Sequence, residues 1–198
     1  MHNIRLILAS TSPRRKQLLA AAGYDFEVIP PQVNELTAAY GDDGPAEMVM
    51  HLARLKAADV MRQIEARQLQ PQQSVVVGCD TTVECKGQIF GKPTDRDHAR
   101  RMLATLSGGE HRVFSGLCLW PLAAAEPQTD FEVTTLRMDR LGGQQLEDYL
   151  ATRAWEGKAG AFGYQDGLDW LHIVEGSAAN VVGLPVELLD RMLQAAFQ

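Results

Sequence analysis

Blocks of apolar and polar residues along the chain predict interspersed strands and helices. Residues 4–9 form a largely apolar run typical of a buried strand, and 13–22 repeat leucine and alanine at helical spacing. The longest helical pattern covers 45–68, and Pro71 ends any continuation of it. Further strands are predicted at 26–29, 75–77, 82–85, 88–90, 111–119, 130–138 and 170–174, and further helices at 94–106, 144–151 and 185–197.

Two features of this pattern favour a mixed sheet over a purely parallel one. Residues 82–85 and 88–90 alternate on either side of Lys86-Gly87, which predicts a hairpin and so an antiparallel pair of strands. Elsewhere strands alternate with helices, as they do in α/β domains. We therefore predict an α/β fold with a mixed, twisted β-sheet flanked by helices, and 198 residues are enough for one domain with a sizeable core.

Composition narrows the class of protein. Apolar residues make up 45% and charged residues 22% of the chain, as in ordinary globular proteins. The net charge of −6 argues against a broad nucleic-acid-binding surface. The three cysteines lack metal-binding spacing and the first strand leaves little room for a targeting segment, which together predict a cytoplasmic protein. No apolar run approaches the roughly 20 residues of a membrane helix, so no membrane partner is expected.

Hydroxyl and guanidinium groups are concentrated where the first predicted strand meets the first predicted helix. The segment reads Ser10-Thr11-Ser12-Pro13-Arg14-Arg15, in which Ser12 is suited to cap the helix and Pro13 to its first turn. Helix N-termini favour anions, and arginine offers forked donors that match phosphate oxygens. The segment therefore predicts a phosphate site, although a capped surface helix with two solvated arginines would read the same way.

A carboxylate follows the valine strand. Asp80 comes directly after Val75-Val76-Val77-Gly78-Cys79, so we expect it at the carboxyl edge of the sheet, where α/β folds place ligands. There it would orient a water, accept a proton or hold a divalent ion, whereas the ordinary alternative is an aspartate that caps a turn. Glu84, four residues further on, is expected to be a solvated hairpin residue.

Two lysines are candidate phosphate ligands. Lys92 precedes Pro93 on a loop that the proline stiffens, and Lys56 lies in the long helix at the border of its apolar stripe. Each also has an ordinary interpretation, the first as a solvent-facing loop residue and the second as a lysine whose stem covers apolar surface.

The segment 156–165 contains three glycines within seven residues, with the aromatic Phe162 among them. Such a segment lets the backbone approach a flat ligand, although a flexible loop rich in glycine and alanine would look the same. It matches neither the P-loop nor the dinucleotide fingerprint. Gln165 closes it with an amide that both donates and accepts, as the edge of a pyrimidine requires. Residues 182–185 are expected to form only a turn that enters the last helix.

Taken in order, these motifs resemble those of the Maf family of nucleoside triphosphate pyrophosphatases from end to end of the chain. The matching segments are 9–15, Asp80-Thr81, Gly91-Lys92-Pro93, Leu106-Ser107-Gly108 with His111, 158–165 and 182–185. The resemblance implies an inosine-triphosphatase-like fold, which we expect as a single Maf-like domain over 1–198, two-lobed with a central cleft. It also implies a homodimer.

The resemblance further implies that the α–β phosphoanhydride of a nucleoside triphosphate is hydrolysed with the help of Mg²⁺ or Mn²⁺, which clears unwanted nucleotides. Asp80 resembles the residue that accepts a proton from water and also a metal ligand. Glu35 is similar to the second acidic residue at the metal, whereas Asn34 stands where family members often carry an aspartate. The residues that resemble phosphate ligands are Ser10, Arg15, Lys56 and Lys92.

Three positions distinguish branches of the family. Arg14, Thr81 and Gln165 are similar to the branch that acts on dTTP and UTP, whereas the 7-methyl-GTP branch tends to carry a bulky aromatic residue and an acid at the first and third positions. A neutral glutamine suits the mixed donor and acceptor edge of thymine or uracil. Tyr164 and Asp166 depart from the usual pattern beside Gln165.

Two alternatives stay open beside the dTTP/UTP pyrophosphatase. One is an enzyme of the 7-methyl-GTP type, and the other is a non-catalytic, nucleotide-binding regulator of cell division. Asp80 favours an enzyme, because a pure binding protein has no need of a base beside its phosphate ligands. The acidic balance and the lack of a basic stripe make a nucleic-acid-binding module the least favoured class.

Overall fold

The computed structural model describes residues 4–33, 44–67 and 74–197. In chain order it contains strands β1 (Arg5–Ala9), β2 (Phe26–Val28), β3 (Ser74–Cys85), β4 (Gln88–Phe90), β5 (Glu110–Pro121), β6 (Gln128–Met138) and β7 (Leu171–Glu175). The helices are α1 (Pro13–Ala21), α2 (Gly44–Ala66), α3 (Arg96–Leu106), α4 (Gly143–Ala151), α5 (Ala178–Val182) and α6 (Val186–Phe197), with short 3-10 turns at Ala159–Ala161 and Tyr164–Asp166. No helix in these ranges is long and apolar enough to cross a membrane.

The seven strands form one mixed sheet in the order β2-β1-β3-β5-β6-β7, with β4 paired to β3. β1 runs parallel to both β2 and β3, whereas β4 is antiparallel to β3 and β7 is antiparallel to β6. The predicted α/β fold with a mixed sheet and flanking helices is therefore confirmed, as is the predicted hairpin at Lys86-Gly87.

Strand β3 is longer than the sequence indicated. Gly78 and Asp80 were expected to lie where the valine strand ends, yet 74–85 is a single continuous strand. Its neighbours in the sheet supply backbone hydrogen-bond partners that keep it extended through the glycine. The expectation that Asp80 lies at a carboxyl edge holds with respect to β1, because β1 ends at Ala9, which is paired with Gly78. Asp80 thus lies inside its own strand but beyond the carboxyl end of its parallel neighbour.

Two other local expectations were wrong. The helix predicted from residue 94 begins only at Arg96, because its N-cap is Asp95, whose side chain accepts a hydrogen bond from the backbone N of His98 at 2.7 Å. Glu84 is not solvated, since the residue is only 6% exposed. Its carboxylate accepts from the backbone N of Gly87 at 2.6 Å and from Arg112 Nε at 2.8 Å, and so holds the hairpin turn from inside.

The chain divides into two compact units. The first unit comprises residues 1–80, 115–132 and 183–198, and the second comprises 81–114 and 133–182. Three of the four boundaries fall within strands β3, β5 and β6, so each of these strands contributes residues to both units, and the fourth lies between α5 and α6.

The first unit has apolar cores on both faces of β1. Leu6 and Leu8 pack with α1 and α6 on one face, whereas Ile7 and Ala9 pack with α2 on the other. This is the double-sided burial expected of parallel strands. Glycine allows α2 to approach the strands closely, because a Cβ on Gly116 would lie 2.5 Å from the carbonyl oxygen of Val49 and one on Gly78 would overlap the carbonyl of Ala53.

The second unit has a core rich in aromatic residues, formed by its strand segments with α3 and α4. Tyr149 and Trp170 meet edge to face with ring centroids 5.3 Å apart. His111 is 2% exposed, packs edge-on against Phe162 at 5.2 Å, and has no hydrogen-bond partner on either ring nitrogen within the described part of the chain. Burial lowers its pKa to about 4, so this histidine is a neutral core residue at pH 7.

Candidate active site

The start of α1 is held by the residues that the sequence singled out. Ser10 follows β1 and is 5% exposed. Its Oγ accepts from the backbone N of Ser12 at 3.2 Å and from Arg15 Nη1 at 3.1 Å. Ser12 occupies the predicted N-cap position, although its own side chain makes no capping hydrogen bond. Ser10, rather than Ser12, is therefore the hydroxyl that orders this turn.

Arg15 is fixed by a main-chain carbonyl from the other end of the chain. Its Nε donates to the carbonyl oxygen of Gly183 at 2.8 Å, and Cys79 Sγ donates to the same oxygen at 3.2 Å. The segment 182–185 thus does more than turn the chain into α6, because it sets the direction of the Arg15 guanidinium. Sequence reasoning missed this role, since a carbonyl group belongs to every residue and gives no signal in the side-chain pattern.

Lys56 and Asp80 form a buried ion pair. Lys56 Nζ lies 2.5 Å from Asp80 Oδ1, and the two residues are 4% and 8% exposed. Lys56 was predicted at the border of the core; instead α2 carries it inside, where a charge is tolerated only with a partner of opposite sign. The close contact between α2 and β3 at Gly78, two residues before Asp80, brings the two side chains together.

The Ser10–Arg15 hydrogen bond and the Lys56–Asp80 ion pair both belong to the first unit. Because Ala9 is paired with Gly78 in the parallel register of β1 and β3, Ser10 and Asp80 both lie just beyond that pairing. Arg14 is half-buried on α1, one residue before Arg15. This end of the β1–β3 pair therefore combines a guanidinium, a hydroxyl, an ammonium and a carboxylate, which is a set of groups suited to a phosphate and an attacking water.

The remaining predicted site residues that the structure describes belong to the second unit. Thr81 follows Asp80 on β3 and is half-buried, whereas Lys92 and Gln165 are exposed. The loop of Lys92 is tied to the glycine-rich segment, because the backbone N of Gly160 donates to the carbonyl oxygen of Gly91 at 3.1 Å. Gln165 lies in the 3-10 turn Tyr164–Asp166.

A second ion pair lies beside Gln165. Lys158 Nζ donates to Asp166 Oδ2, and the two side chains are 11% and 23% exposed. The sequence showed both residues but not their pairing, because the glycines between them leave the path of the backbone undetermined.

A divalent cation at this site would have few carboxylate ligands. Among the described residues no group of three or more His, Cys, Asp or Glu side chains is arranged to hold a metal ion. Glu35, which was predicted as a ligand, and Asn34 lie outside the described residues. Mg²⁺ at nucleotide sites is held by one or two carboxylates together with phosphate oxygens and water. Asp80 fits that arrangement, and its carboxylate also has to accommodate Lys56.

Comparison with known proteins places the chain in a family. A family model described as Maf-like protein matches residues 5–196. A "dTTP/UTP pyrophosphatase" of Rhodopirellula baltica is 47% identical over 96% of this chain and 81% of that protein. Proteins with the same name from Clostridium botulinum and Acetivibrio thermocellus are each 38% identical, over 95% and 96% of this chain and 95% and 94% of theirs.

Among solved structures, the Staphylococcus aureus Ham1 protein aligns with 97% of this chain and 99% of its own, at 10% identity and a TM-score of 0.49. The family model and the relatives cover nearly all of the chain. The chain belongs to the Maf family.

Proposed function

We propose that this chain is a nucleoside triphosphate pyrophosphatase that converts dTTP and UTP to the monophosphate and pyrophosphate. The relatives at 37–47% identity that carry the name dTTP/UTP pyrophosphatase support the reaction. The observation that carries the proposal is the buried Lys56–Asp80 pair, which lies at the same end of the β1–β3 pair as the Ser10–Arg15 segment.

In the proposed reaction a water molecule attacks the α-phosphorus of the triphosphate. A bond forms between the water oxygen and that phosphorus, the bond to the oxygen that bridges to the β-phosphorus breaks, and pyrophosphate leaves. Asp80 orients the water and accepts its proton. Since Asp80 is nearly buried and ion-paired, its carboxylate is held in one place, as a general base requires.

Lys56 has two tasks in this proposal. It holds the Asp80 carboxylate in place through their ion pair, and it donates to a phosphate oxygen of the substrate. An ammonium group carries three donors, so a bond to Asp80 is compatible with a bond to phosphate. Ser10, Arg15 and Lys92 bind further phosphate oxygens and stabilise the charge that develops on the leaving pyrophosphate.

A divalent cation completes the proposed chemistry. Asp80 and Glu35 would hold it. When bound, Mg²⁺ or Mn²⁺ would neutralise charge on the triphosphate and make pyrophosphate a better leaving group.

Base selection is assigned to Arg14, Thr81 and Gln165. The amide of Gln165 offers one acceptor and two donors, which suits the mixed edge of thymine and uracil. A purine with a positive charge at that edge would call for a carboxylate instead. A neutral side chain at position 165 therefore supports a pyrimidine nucleotide over 7-methyl-GTP.

The proposal is tested by measuring pyrophosphate release from dTTP, UTP, CTP and 7-methyl-GTP, each with Mg²⁺ and with Mn²⁺. We expect dTTP and UTP to give the highest kcat/KM. Faster turnover of 7-methyl-GTP would contradict the assigned substrate but leave the pyrophosphatase reaction standing. No turnover of any substrate, in a protein that still binds nucleotides, would favour the non-catalytic regulator.

A further inference from the structure

The turn that carries Gln165 is closed by the Lys158–Asp166 ion pair, which has no role in the proposed reaction. The ion pair between Lys158 Nζ and Asp166 Oδ2 joins residues eight positions apart, across both 3-10 turns. Lys158 is 9% exposed, and the Asp166 side chain is 23% exposed. An ion pair shielded in this way restricts the backbone between its partners more than a pair in open solvent does.

The ion pair and the Gln165 amide occupy the space beside the same α-carbon. A Cβ on Gly163 would lie 2.5 Å from Asp166 Oδ2 and 2.8 Å from Gln165 Nε2, and it would collide with Lys158 Nζ. Position 163 has a φ of −130°, which any residue adopts, so the glycine is required there by space and not by backbone conformation.

The orientation of the Gln165 amide decides which base edge it can hydrogen-bond. Its oxygen only accepts hydrogen bonds and its nitrogen only donates them. Thymine and uracil present an acceptor oxygen where cytosine presents a donor amino group. A glutamine that rotates its amide by 180° serves both edges equally well, whereas a fixed amide discriminates between them. Nearby charges set the orientation, because a carboxylate attracts the amide nitrogen and an ammonium attracts the amide oxygen.

We propose that Lys158 and Asp166 are positioning residues that hold the Gln165 amide in the orientation that selects thymine and uracil over cytosine, an inference that rests on the proposed function. Asp166 acts on the base only through Gln165, since its charge is engaged by Lys158. The acid that departs from the family pattern beside Gln165 therefore supports the selection of a neutral pyrimidine and does not alter it.

The direct test is Asp166→Asn, assayed with dTTP and CTP beside Asp169→Asn, which removes an exposed acid three residues further on. Loss of the ion pair frees the amide to rotate, so we expect the ratio of kcat/KM for dTTP over CTP to fall about tenfold in Asp166→Asn. The kcat for dTTP should stay within about twofold, because the phosphate ligands and Asp80 are untouched. Asp169→Asn should behave as the wild type, and Asp166→Glu should recover most of the ratio.

Gly163→Ala provides a second route to the same disturbance. The added methyl group would displace the Asp166 carboxylate and the Gln165 amide without straining the backbone. We expect the same loss of the dTTP:CTP ratio, and the double variant Gly163→Ala/Asp166→Asn should lose little more than either single variant, because both remove one restraint. Melting temperatures would verify that each variant is folded.

Different outcomes separate this inference from the proposed function. If the wild type turns over dTTP and the ratio is unchanged in folded Asp166→Asn and Gly163→Ala, or if Asp169→Asn shows the same loss, the positioning role is overturned while the enzyme stands. If the wild type turns over no nucleotide, the proposed function fails, and selection is then read from calorimetric binding of dTMP and CMP. An equal preference in the wild type and Asp166→Asn would overturn the inference in that case, and so would binding of neither nucleotide.

Discussion

The two units hold their functional polar groups in different ways. In the first unit, Arg15 and Asp80 are fixed by partners far away along the chain, the carbonyl of Gly183 and the ammonium of Lys56. In the second unit, the turn that carries Gln165 is fixed by an ion pair between residues eight apart. Arg15 and Asp80, which are proposed for the chemical step, are thus fixed by distant contacts, whereas Gln165, one of the residues proposed for base selection, is fixed by a local turn. Disturbing the former should change stability and turnover together, and disturbing the latter should change discrimination alone.

The largest expected effect is that of Asp80→Asn. Removing the proposed base should lower the turnover of dTTP by about 10³, within the range seen for general bases. The same substitution removes the carboxylate that pairs with the buried Lys56 ammonium, and breaking one member out of a buried ion pair costs about 3–5 kcal/mol of unfolding free energy. Pyrophosphate release and urea unfolding measure the two effects.

The double variant Lys56→Gln/Asp80→Asn is the control that separates these two effects. With both charges removed, most of the lost stability should return, because the buried ammonium that had paired with Asp80 is removed together with it. Turnover should stay as low as in Asp80→Asn. Near-normal pyrophosphate release by either variant would rule out Asp80 as the base.

In the core of the second unit, the buried His111 should make the unfolding free energy depend on pH, an effect smaller than that of Asp80→Asn. His111 binds a proton near pH 6.5 in the unfolded chain but only near pH 4 in the folded state. As the pH falls below about 6.5 the unfolded state gains a proton that the folded state excludes, so stability is lost, by about 2 kcal/mol at pH 5. Urea unfolding at pH 7 and pH 5 measures this loss.

His111→Leu should remove most of that loss, whereas His51→Gln, which changes an exposed histidine on α2, should not. If the wild type and His111→Leu lose equal stability between pH 7 and pH 5, His111 is not the group responsible.

Local segments of the first unit were the most predictable from the sequence. The strand, turn and helix around Ser10–Arg15 follow from an apolar run, a serine at the N-cap position and a proline within a few residues of one another. The mixed α/β fold was predictable for the same reason, since each element has its own periodicity.

Contacts between distant residues were not predictable in the same way. Lys56 and Asp80 are 24 positions apart, and only the packing of α2 on β3 brings them together. The hydrogen bond from Arg15 to Gly183 spans 168 positions, and its acceptor is a backbone carbonyl, which no side-chain pattern reveals. Glu84 resembled a solvated turn residue because its partner Arg112 belongs to another strand. The homodimer, the cleft, the cytoplasmic location and the metal ligand at Glu35 stay predictions.

The smallest expected effect is that of Lys92→Ala. Because Lys92 is exposed, unfolding free energy should change little. If it binds phosphate, KM for dTTP should rise about tenfold while the Kd of thymidine stays nearly constant. Lys86→Ala, which removes an exposed lysine in the hairpin turn, is the matched control. Equal weakening of dTTP and thymidine would count against a phosphate role.

In the proposed reaction, water attacks the α-phosphorus of dTTP and expels pyrophosphate. Hydrolysis of dTTP by the wild type in ¹⁸O-enriched water, followed by mass spectrometry of the products, shows which phosphorus the water attacks. We expect dTMP that carries one labelled oxygen, together with unlabelled pyrophosphate. The appearance of dTDP and phosphate, or of label in pyrophosphate, would contradict it.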